Sequence, residues 1–461
     1  MNRLMAVLFS LLLPVRAFAQ ADRVDSVVRS FMEKTHIPGA AVAVVRNGRV
    51  ESIRSFGIAN SEYGVAVTPE TRFQLASGSK LFTSAVLLRM VEQGRLRLED
   101  PISQYISGAP ASWKEITILD LARHVSGLAA PEVDTNITSS AAVVELAEKT
   151  PPEAKPGERA SYGDFDYPIL QFILEKVSGK PFAELMEDEL FRPVGFACTM
   201  YDNLEQHGAQ RMSLPVPNRA EYYRWVGSYN QKREFLYTRW AYAAGGAYAC
   251  AKDAAAFIAA LDAGKVISPT SLKLARTTPR LADGSSSKFG IGCVIGRYRG
   301  HAWMGHSGGP AFSDMVYFPE DHFGIVVLTN QQKLYPELAM LVADELLTNP
   351  IDSRADVQKD LAPELTAAAR KLIDGMASGK IDPSLLAPDK RGEYLEDLSD
   401  FAPGWLGPLE PVTRMELVGD SAGIDGARRR RYRLFFGAHP QEVVFGFDKT
   451  GKIESLSPEG S

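Results

Sequence analysis

The chain has 461 residues, of which 45% are hydrophobic and 23% are charged, and its formal net charge is −5. This composition is typical of an ordinary soluble globular protein, long enough for two or three domains and a large core. The small negative net charge gives no sign of the basic surface that nucleic-acid binding requires, so no nucleic-acid partner is expected. The one dense basic run, Arg428 to Arg431, fits a solvated strand face better than a binding patch.

The N-terminus has the pattern of an export signal. Arg3 supplies a positive charge, the run from Leu4 to Val15 is apolar, and Ala17–Phe18–Ala19 matches a small-residue cleavage site. About twelve apolar residues are too few to cross a bilayer, which needs roughly twenty. We therefore predict a cleaved signal peptide over residues 1–19 and a periplasmic or secreted mature protein without stable membrane insertion.

A hairpin and a helix are predicted next along the chain. Two β-rich runs are joined by Asn47–Gly48, which is a strong hairpin signal. The stretch Ser77–Gly78–Ser79–Lys80 then opens a helix that Gly94 can end. Its apolar residues recur at helical spacing at Leu81, Ala85, Leu88 and Val91.

Further along the chain, the predicted structure changes from mostly helical to mostly β. Residues 100–260 are predicted to be mostly helical with loops rich in Pro and Gly, and a second β section follows up to residue 330. A helix over about 336–347 closes this part. The economical fold is α+β, with one antiparallel sheet built from both ends of the section, flanked by helices and by a helical subdomain. A site would lie in the cleft between the sheet and the helical part.

The polar, proline-bearing stretch around residue 350 predicts a linker. Beyond it, residues 362–402 are predicted to be helical and residues 412–457 to form short strands with turns at Asp425–Gly426 and Lys449–Thr450–Gly451. The predicted domains are therefore 20–349 and 350–461, the second a small α+β domain of unknown role.

The mature chain keeps three cysteines, Cys198, Cys250 and Cys293. An odd number allows at most one internal disulfide and leaves one thiol, and the spacing does not identify the pair. No spacing typical of metal ligands or of a dinucleotide-binding loop is present, so no metal or other cofactor is expected.

Ser77 and Lys80 are three residues apart and share one face of a helical turn. A lysine at this distance can help to remove the proton of a serine, and a helix N-terminus favours negative charge there. Because the pattern S-x-x-K is common, a helix cap followed by a surface lysine is the alternative interpretation.

Two further stretches favour a catalytic serine. Tyr162 and Asp164 lie in a loop just before an amphipathic helix, and His306–Ser307–Gly308–Gly309 ends a predicted strand. Glycines there let a backbone N–H come close to a substrate. The three segments together supply a nucleophile, proton carriers and an oxyanion donor.

At this point the chain resembles a known family, the serine β-lactamases and penicillin-recognising enzymes, and in particular the branch of class C β-lactamases, D-specific peptidases and related esterases. The resemblance extends from about Ile37 to Asn330. It rests on the stretches IPGAAVAVVRNGRV, TRFQLASGSK, HVSGL, AAGGAYACAKDAAAF and GHSGG. It implies a β-lactamase-like fold over residues 20–349.

The resemblance also implies roles for the motif residues. Ser77 would attack the acyl carbon, Lys80 and Tyr162 would share its proton, and Tyr162 would protonate the leaving group. The N–H groups of Ser77 and Gly309 would hold the oxyanion, and His306 would orient the substrate or support the Tyr162–Lys80 pair. Substrate contacts are expected from four residues, Asp164, Ser307, Gly308 and Gly309. His124, in the HVSGL stretch, is expected to be structural.

One departure from the family pattern is Tyr162–Gly163–Asp164, where the family usually has Tyr-x-Asn. Two literal alternatives are Tyr201–Asp202–Asn203 and Ser228–Tyr229–Asn230. Neither precedes a periodic helix as Tyr162 does, so Tyr162 is preferred.

A competing nucleophile is Ser421, because residues 419–423 match G-x-S-x-G, the nucleophile elbow of α/β-hydrolases. That motif requires a helix directly after the serine. A turn and then a strand are predicted here instead, so we interpret the match as a hairpin turn.

We predict an exported serine hydrolase that cleaves an ester or amide bond of a small-molecule, peptide or β-lactam substrate through an acyl-serine. A neutral histidine at 306 would favour esterase or peptidase activity over efficient β-lactam hydrolysis. The alternative is a penicillin-binding sensor or scaffold that is acylated without efficient turnover.

Overall fold

The structure of the chain is a computed structural model. The predicted signal peptide and Asp164 lie outside the residues that it describes, so both of those interpretations stay predictions. The described residues are 23–131, 137–163, 165–207, 210–226, 228–234, 236–309, 313–331, 338–347, 357–392, 394–396, 398–399, 402, 406, 411–422, 426–437 and 439–458.

The described chain is a mixture of antiparallel strands and helices. The strands are β1 (Gly39–Arg46), β2 (Arg49–Asn60), β3 (Val65–Ala66), β4 (Phe73–Gln74), β5 (Glu205–His207), β6 (Gln210–Met212), β7 (Tyr222–Trp225), β8 (Asn230–Arg233), β9 (Tyr248–Ala249), β10 (Val294–Tyr298), β11 (His301–Gly308), β12 (Ser313–Phe318), β13 (Phe323–Thr329), β14 (Val412–Ala422), β15 (Arg428–Phe436), β16 (His439–Phe447) and β17 (Ile453–Pro458). The helices are α1 (23–35), α2 (Ser79–Glu92), α3 (Ile118–Ala122), α4 (Ser140–Ala147), α5 (Asp166–Ser178), α6 (Phe182–Met186), α7 (Arg192–Val194), α8 (Ala251–Asp262), α9 (Pro269–Ala275), α10 (Leu338–Leu346) and α11 (Pro363–Ser378).

A seven-stranded sheet in the order β10-β11-β12-β13-β1-β2-β3 is built, as predicted, from strands near both ends of the predicted domain 20–349. Strand β1 pairs antiparallel with β13, with Val42 opposite Val327. The predicted hairpin between β1 and β2 is also confirmed. Asn47 and Gly48 both have positive φ, 47° and 67°, as a two-residue turn between twisted strands requires.

The two faces of this sheet bury different cores, because side chains alternate along a strand. Ala41, Ala43 and Val45 belong to the core that α2, α5 and α8 cover, and we call their side the front face. Ala40 and Val42 belong to the core that α1 and α10 cover, which we call the back face.

The middle of the chain is less helical than predicted. It contains two small antiparallel hairpins, β5–β6 and β7–β8, besides its helices. Each has strands of only three or four residues. A strand this short has too few residues to show a period-two pattern, so the sequence does not reveal it.

The C-terminal section forms a four-stranded antiparallel sheet, β14–β17, which packs with α11 around a hydrophobic cluster of its own. The prediction that Arg428 to Arg431 is a solvated strand face is wrong in part. Arg430 is completely buried, where its guanidinium binds the carboxylates of Asp360 and Asp420. Buried arginine is tolerated because these partners compensate its charge.

Cys198, which follows α7, is bonded to Cys250, which precedes α8, with 5.7 Å between their Cα atoms. Cys293 is a buried free thiol whose pKa burial raises to about 12. The carboxylate of Asp253 lies beside the two bonded sulfurs and accepts backbone N–H groups of Cys198 and Thr199. Because metal binding needs thiolates, this cluster is a structural crosslink rather than a metal site.

Within the described residues, no helix is both long enough and apolar enough to cross a membrane.

Replacing Cys198 and Cys250 together by alanine should lower the free energy of unfolding by about 3–4 kcal/mol, because the bond closes a loop with a sequence separation of 52. Urea denaturation of the double variant and of the reduced wild-type protein measures this loss. Cys293→Ala is the control, with an expected loss of about 1 kcal/mol. A double variant as stable as this control would contradict the prediction.

Candidate active site

Ser77 lies in a short 3₁₀ helix, Ala76–Gly78, directly before α2. The preceding residue, Ala76, has a φ of 45°, a conformation that costs free energy for any residue with a Cβ. Two contacts of Leu75 hold this backbone in place. Its N–H donates to the carbonyl of Ala247 at 2.8 Å, and its carbonyl accepts from the Ser313 hydroxyl at 2.7 Å. The serine is therefore presented by a strained and well-supported turn.

Lys80 is completely buried in the first turn of α2. Its Nζ donates to the carbonyl oxygen of Ala244 at 2.9 Å, to the hydroxyl of Tyr162 at 2.8 Å and to Oγ of Ser77 at 3.2 Å. These three acceptors satisfy the three N–H bonds of an ammonium group. A surface lysine, the alternative interpretation of the S-x-x-K pattern, is excluded.

Tyr162 completes the triangle. Its hydroxyl donates to Oγ of Ser77 at 2.8 Å, and its ring centroid lies 4.9 Å from Nζ of Lys80. The residue is 43% exposed, so a substrate can reach it while Lys80 stays covered. A proton can pass between Ser77, Tyr162 and Lys80 along contacts of 3.2 Å or less.

His124 packs behind the tyrosine, with ring centroids 4.7 Å apart. Its Nδ1 lies 3.1 Å from the carboxylate of Asp166, which also accepts the hydroxyl of Ser126 at 2.6 Å. The resemblance implied a structural histidine, and the structure adds that its ring packs against that of Tyr162. The sequence contained the residue but no signal that it reaches the tyrosine.

The end of β11 lies against the serine turn. A Cβ on Gly308 would lie 1.8 Å from the carbonyl oxygen of Leu75, so only glycine allows this approach. For Gly309 the nearest contact of such a Cβ would be the Cβ of Ala76 at 3.9 Å. Strand β10 pairs with β11 as far as Gly305, and within the described chain no strand continues this pairing beyond it. This edge can therefore offer backbone N–H groups to a substrate.

His306 points to the front face beside Tyr162, with ring centroids 5.9 Å apart. Its Nδ1 lies 2.7 Å from the carbonyl oxygen of Ser307, which can only accept, so Nδ1 carries the proton. Burial, together with the nearby charge of Lys80, lowers the pKa of His306 from 6.5 to about 3. The imidazole is thus neutral at physiological pH.

Ser307 points away from the cleft. The alternation that places His306 on the front face places the Ser307 side chain on the back face, where its hydroxyl hydrogen-bonds the carboxyl group of Asp314. Its expected contact with substrate can therefore come only from its backbone.

The alternative motifs do not reach Ser77 by any contact recorded within the described residues. Tyr201 is buried among aromatic rings, its hydroxyl has no hydrogen-bond partner there, and burial raises its pKa. Asn230 donates to the carbonyl of His36 instead. Ser421 lies on β14 opposite Arg429 on β15, and the next residue, Ala422, continues the strand instead of beginning the helix that a nucleophile elbow requires.

A family model described as Beta-lactamase matches residues 24–347, which is well over half of the chain. The chain belongs to the beta-lactamase family. PbpX of Bacillus subtilis, named as a penicillin-binding protein, is 27% identical over 304 residues, which are 65% of this chain and 72% of PbpX. Protein flp of Staphylococcus aureus is 25% identical over 225 residues, and the match spans only 44% of each protein.

Solved structures with the same fold cover different shares of the chain. EstCE1, a hydrolase with promiscuous acyltransferase activity, superposes with a TM-score of 0.62 at 20% identity and covers 72% of this chain and 99% of its own. An octameric penicillin-binding protein homologue from Pyrococcus abyssi superposes with a TM-score of 0.60 at 19% identity, covering 92% and 96%. The predicted β-lactamase-like fold is confirmed.

Tyr162→Phe should lower kcat for p-nitrophenyl acetate by at least about 100-fold, because the hydroxyl that links Lys80 to Ser77 is lost. Tyr201→Phe is the matched control and should change kcat by less than about threefold. Steady-state kinetics measure both losses. A larger loss in Tyr201→Phe than in Tyr162→Phe would show that Tyr201–Asp202–Asn203 is the motif that corresponds to the family's Tyr-x-Asn.

The pH profile of kcat/KM tests the charge state of His306. A lowered pKa means that the imidazole stays neutral from pH 5 to 9, so His306 should contribute no limb near pH 6.5. His306→Gln should therefore leave the positions of any limbs unchanged, whatever it does to the rate. An acid limb near pH 6.5 that disappears in this variant would show that the histidine titrates normally.

Proposed function

We propose that the protein is an exported serine hydrolase that cleaves uncharged esters or amides through an acyl-serine intermediate. The observation that carries this proposal is the hydrogen-bonded triangle of Ser77, Lys80 and Tyr162. A serine oxygen that contacts both a buried amine and a partly exposed phenol has no structural purpose as a helix cap, since neither group is a backbone N–H that a cap would satisfy.

In the reactive protonation state that we propose, Lys80 is an ammonium group and Tyr162 is a phenolate. Oγ of Ser77 bonds to the acyl carbon while its proton passes to the phenolate oxygen of Tyr162. Negative charge that develops on either oxygen is stabilised by the ammonium group of Lys80, because opposite charges within 4 Å attract strongly in a buried site. Tyr162 then delivers the proton to the leaving-group oxygen or nitrogen as its bond to the acyl carbon breaks.

Deacylation reverses these roles, with water as the nucleophile. The Tyr162–Lys80 pair accepts a proton from water while the water oxygen bonds to the acyl carbon, and Ser77 recovers its proton as the acid leaves. We assign the oxyanion contacts to the N–H groups of Ser77 and Gly309. Donors of this kind are worth about 100- to 1,000-fold in rate each.

The neutral state of His306 supports an uncharged substrate. His306 is an imidazole whose pKa burial lowers to about 3, so it offers no charge to a substrate carboxylate. We therefore favour an esterase or peptidase over an efficient β-lactamase. EstCE1, which shares the fold, is titled a hydrolase.

Export and the division into two domains are parts of the same proposal. The N-terminal signal pattern supports export, and the disulfide between Cys198 and Cys250 agrees with it, because such bonds persist in oxidising compartments. A boundary near residue 350 is supported by the end of the family match at 347 and by the separate C-terminal core.

A second candidate, a penicillin-binding sensor that is acylated without turnover, is favoured by the name of PbpX. Mass spectrometry after incubation with a penicillin separates the two functions. A sensor would keep a stable adduct on Ser77 for hours, whereas the proposed hydrolase would show steady turnover of p-nitrophenyl esters.

Ser77→Ala should abolish both ester hydrolysis and labelling by a fluorophosphonate probe, because the attacking oxygen is gone. Ser421→Ala is the matched control and should keep both. Hydrolysis rates and in-gel fluorescence measure the two effects. Labelling that survives in Ser77→Ala, or that disappears in Ser421→Ala, would reject the proposed function.

A further inference from the structure

Asp314 is a buried acid directly behind the candidate oxyanion strand. It is 3% exposed, and it lies opposite Ser307 in the β11–β12 register. One of its carboxyl oxygens accepts the hydroxyl of Ser307. In the part of the chain that the structure describes, its Oδ1 has no hydrogen-bond partner.

A buried carboxyl group with only one of its two oxygens hydrogen-bonded destabilises the folded state. Burial raises the pKa of Asp314 to about 6, although the hydrogen bond from Ser307 opposes the rise. Replacing both partners of a buried hydrogen bond by apolar groups can be nearly neutral, whereas removing one partner is costly only where the other is left buried. Ser307, the partner of Asp314, is only partly buried. Valine would suit the site, since Val316 occupies the next position on the same face of β12. Folding therefore does not require an acid at this position.

Ser313, which precedes Asp314 on β12, contacts the serine turn on the front face of the sheet. Ser313 lies opposite Gly308, and its hydroxyl donates to the carbonyl of Leu75, two residues before Ser77. Gly308 itself lies so close to that carbonyl that a Cβ would clash with it. Strand β12 thus binds the serine turn on the front face and Ser307 on the back face.

We propose that Asp314 is a positioning residue, which holds the Ser307 hydroxyl on the back face and thereby sets the place of the Gly309 N–H relative to Ser77 on the front face. Asp314 does not touch the substrate. The proposal rests on the proposed function, because it assumes that Gly309 contributes to the oxyanion site. This contact matters because β10 pairs with β11 only as far as Gly305, and among the described residues no other strand pairs with that edge of β11 beyond it.

Asp314→Val should lower kcat for p-nitrophenyl acetate by about 10- to 100-fold, less than the full loss of an oxyanion donor, while KM changes by less than about twofold. Acylation and deacylation, separated by stopped-flow kinetics, should slow in parallel because both steps use the same N–H. The melting temperature should change little, because the variant removes the burial cost of the acid together with its hydrogen bond to the partly buried Ser307. A merely structural role would lower the melting temperature together with the rate.

Three further variants isolate the hydrogen bond. Asp314→Asn keeps an oxygen that accepts the Ser307 hydroxyl, so kcat should stay within about threefold of wild type. Ser307→Ala should lose as much as Asp314→Val, and the double variant should lose no more than either, because both changes remove one interaction. Ser307→Ala also tests the proposal if Asp314→Val does not fold.

Val316→Ala is the control for loosening of the back face, and it should lower the melting temperature while kcat is kept. Wild-type kcat in Asp314→Val or in Ser307→Ala, or additive losses in the double variant, would overturn the proposal. Failure of the proposed function is distinguishable, because it would appear as hydrolysis that survives Ser77→Ala.

Discussion

Lys80 has no contact with solvent, and a buried amine is tolerated only where its N–H bonds meet acceptors. Three parts of the chain supply them: the turn that carries Ser77, the loop that carries Tyr162, and the segment that ends in Ala244. No one of these segments supplies all three acceptors. The hydrogen bonds that stabilise the buried lysine also bring Oγ of Ser77 and the hydroxyl of Tyr162 into contact.

The backbone around Ser77 shows a second constraint of the same kind. Ala76 is held at a positive φ, and it stays there because Leu75 is bound on one side by Ala247 and on the other by Ser313. Gly308 closes over the same carbonyl. Strain at a reactive residue persists only where the surroundings over-determine it. Here the sheet, through β11 and β12, provides that rigidity, and the helical side provides the proton carriers.

The electrostatics of the cleft follow from burial rather than from the residue types alone. His306 would titrate near neutrality in water, but desolvation and the charge of Lys80 keep it neutral. His124 is held by Asp166 behind the phenol. The positive charge in contact with Ser77 is thus that of a covered lysine, which can stabilise charge on the serine or the tyrosine but cannot receive a charged group of the substrate. This arrangement supports the proposed hydrolysis of an uncharged ester or amide.

The sequence by itself determined the local elements and predicted which side chains form the candidate site. Asn47–Gly48 specified a turn, the apolar spacing after Lys80 specified α2, and the three motifs named Ser77, Lys80, Tyr162 and His306 before any contact was known. These are short-range properties, readable from neighbours along the chain. Burial and pairing were decided only by the tertiary structure, because they depend on residues far apart in sequence. In the tertiary structure Lys80 and Arg430 are buried, and Ser307 lies on the back face opposite Asp314. Cys198 is bonded to Cys250, at a sequence separation of 52.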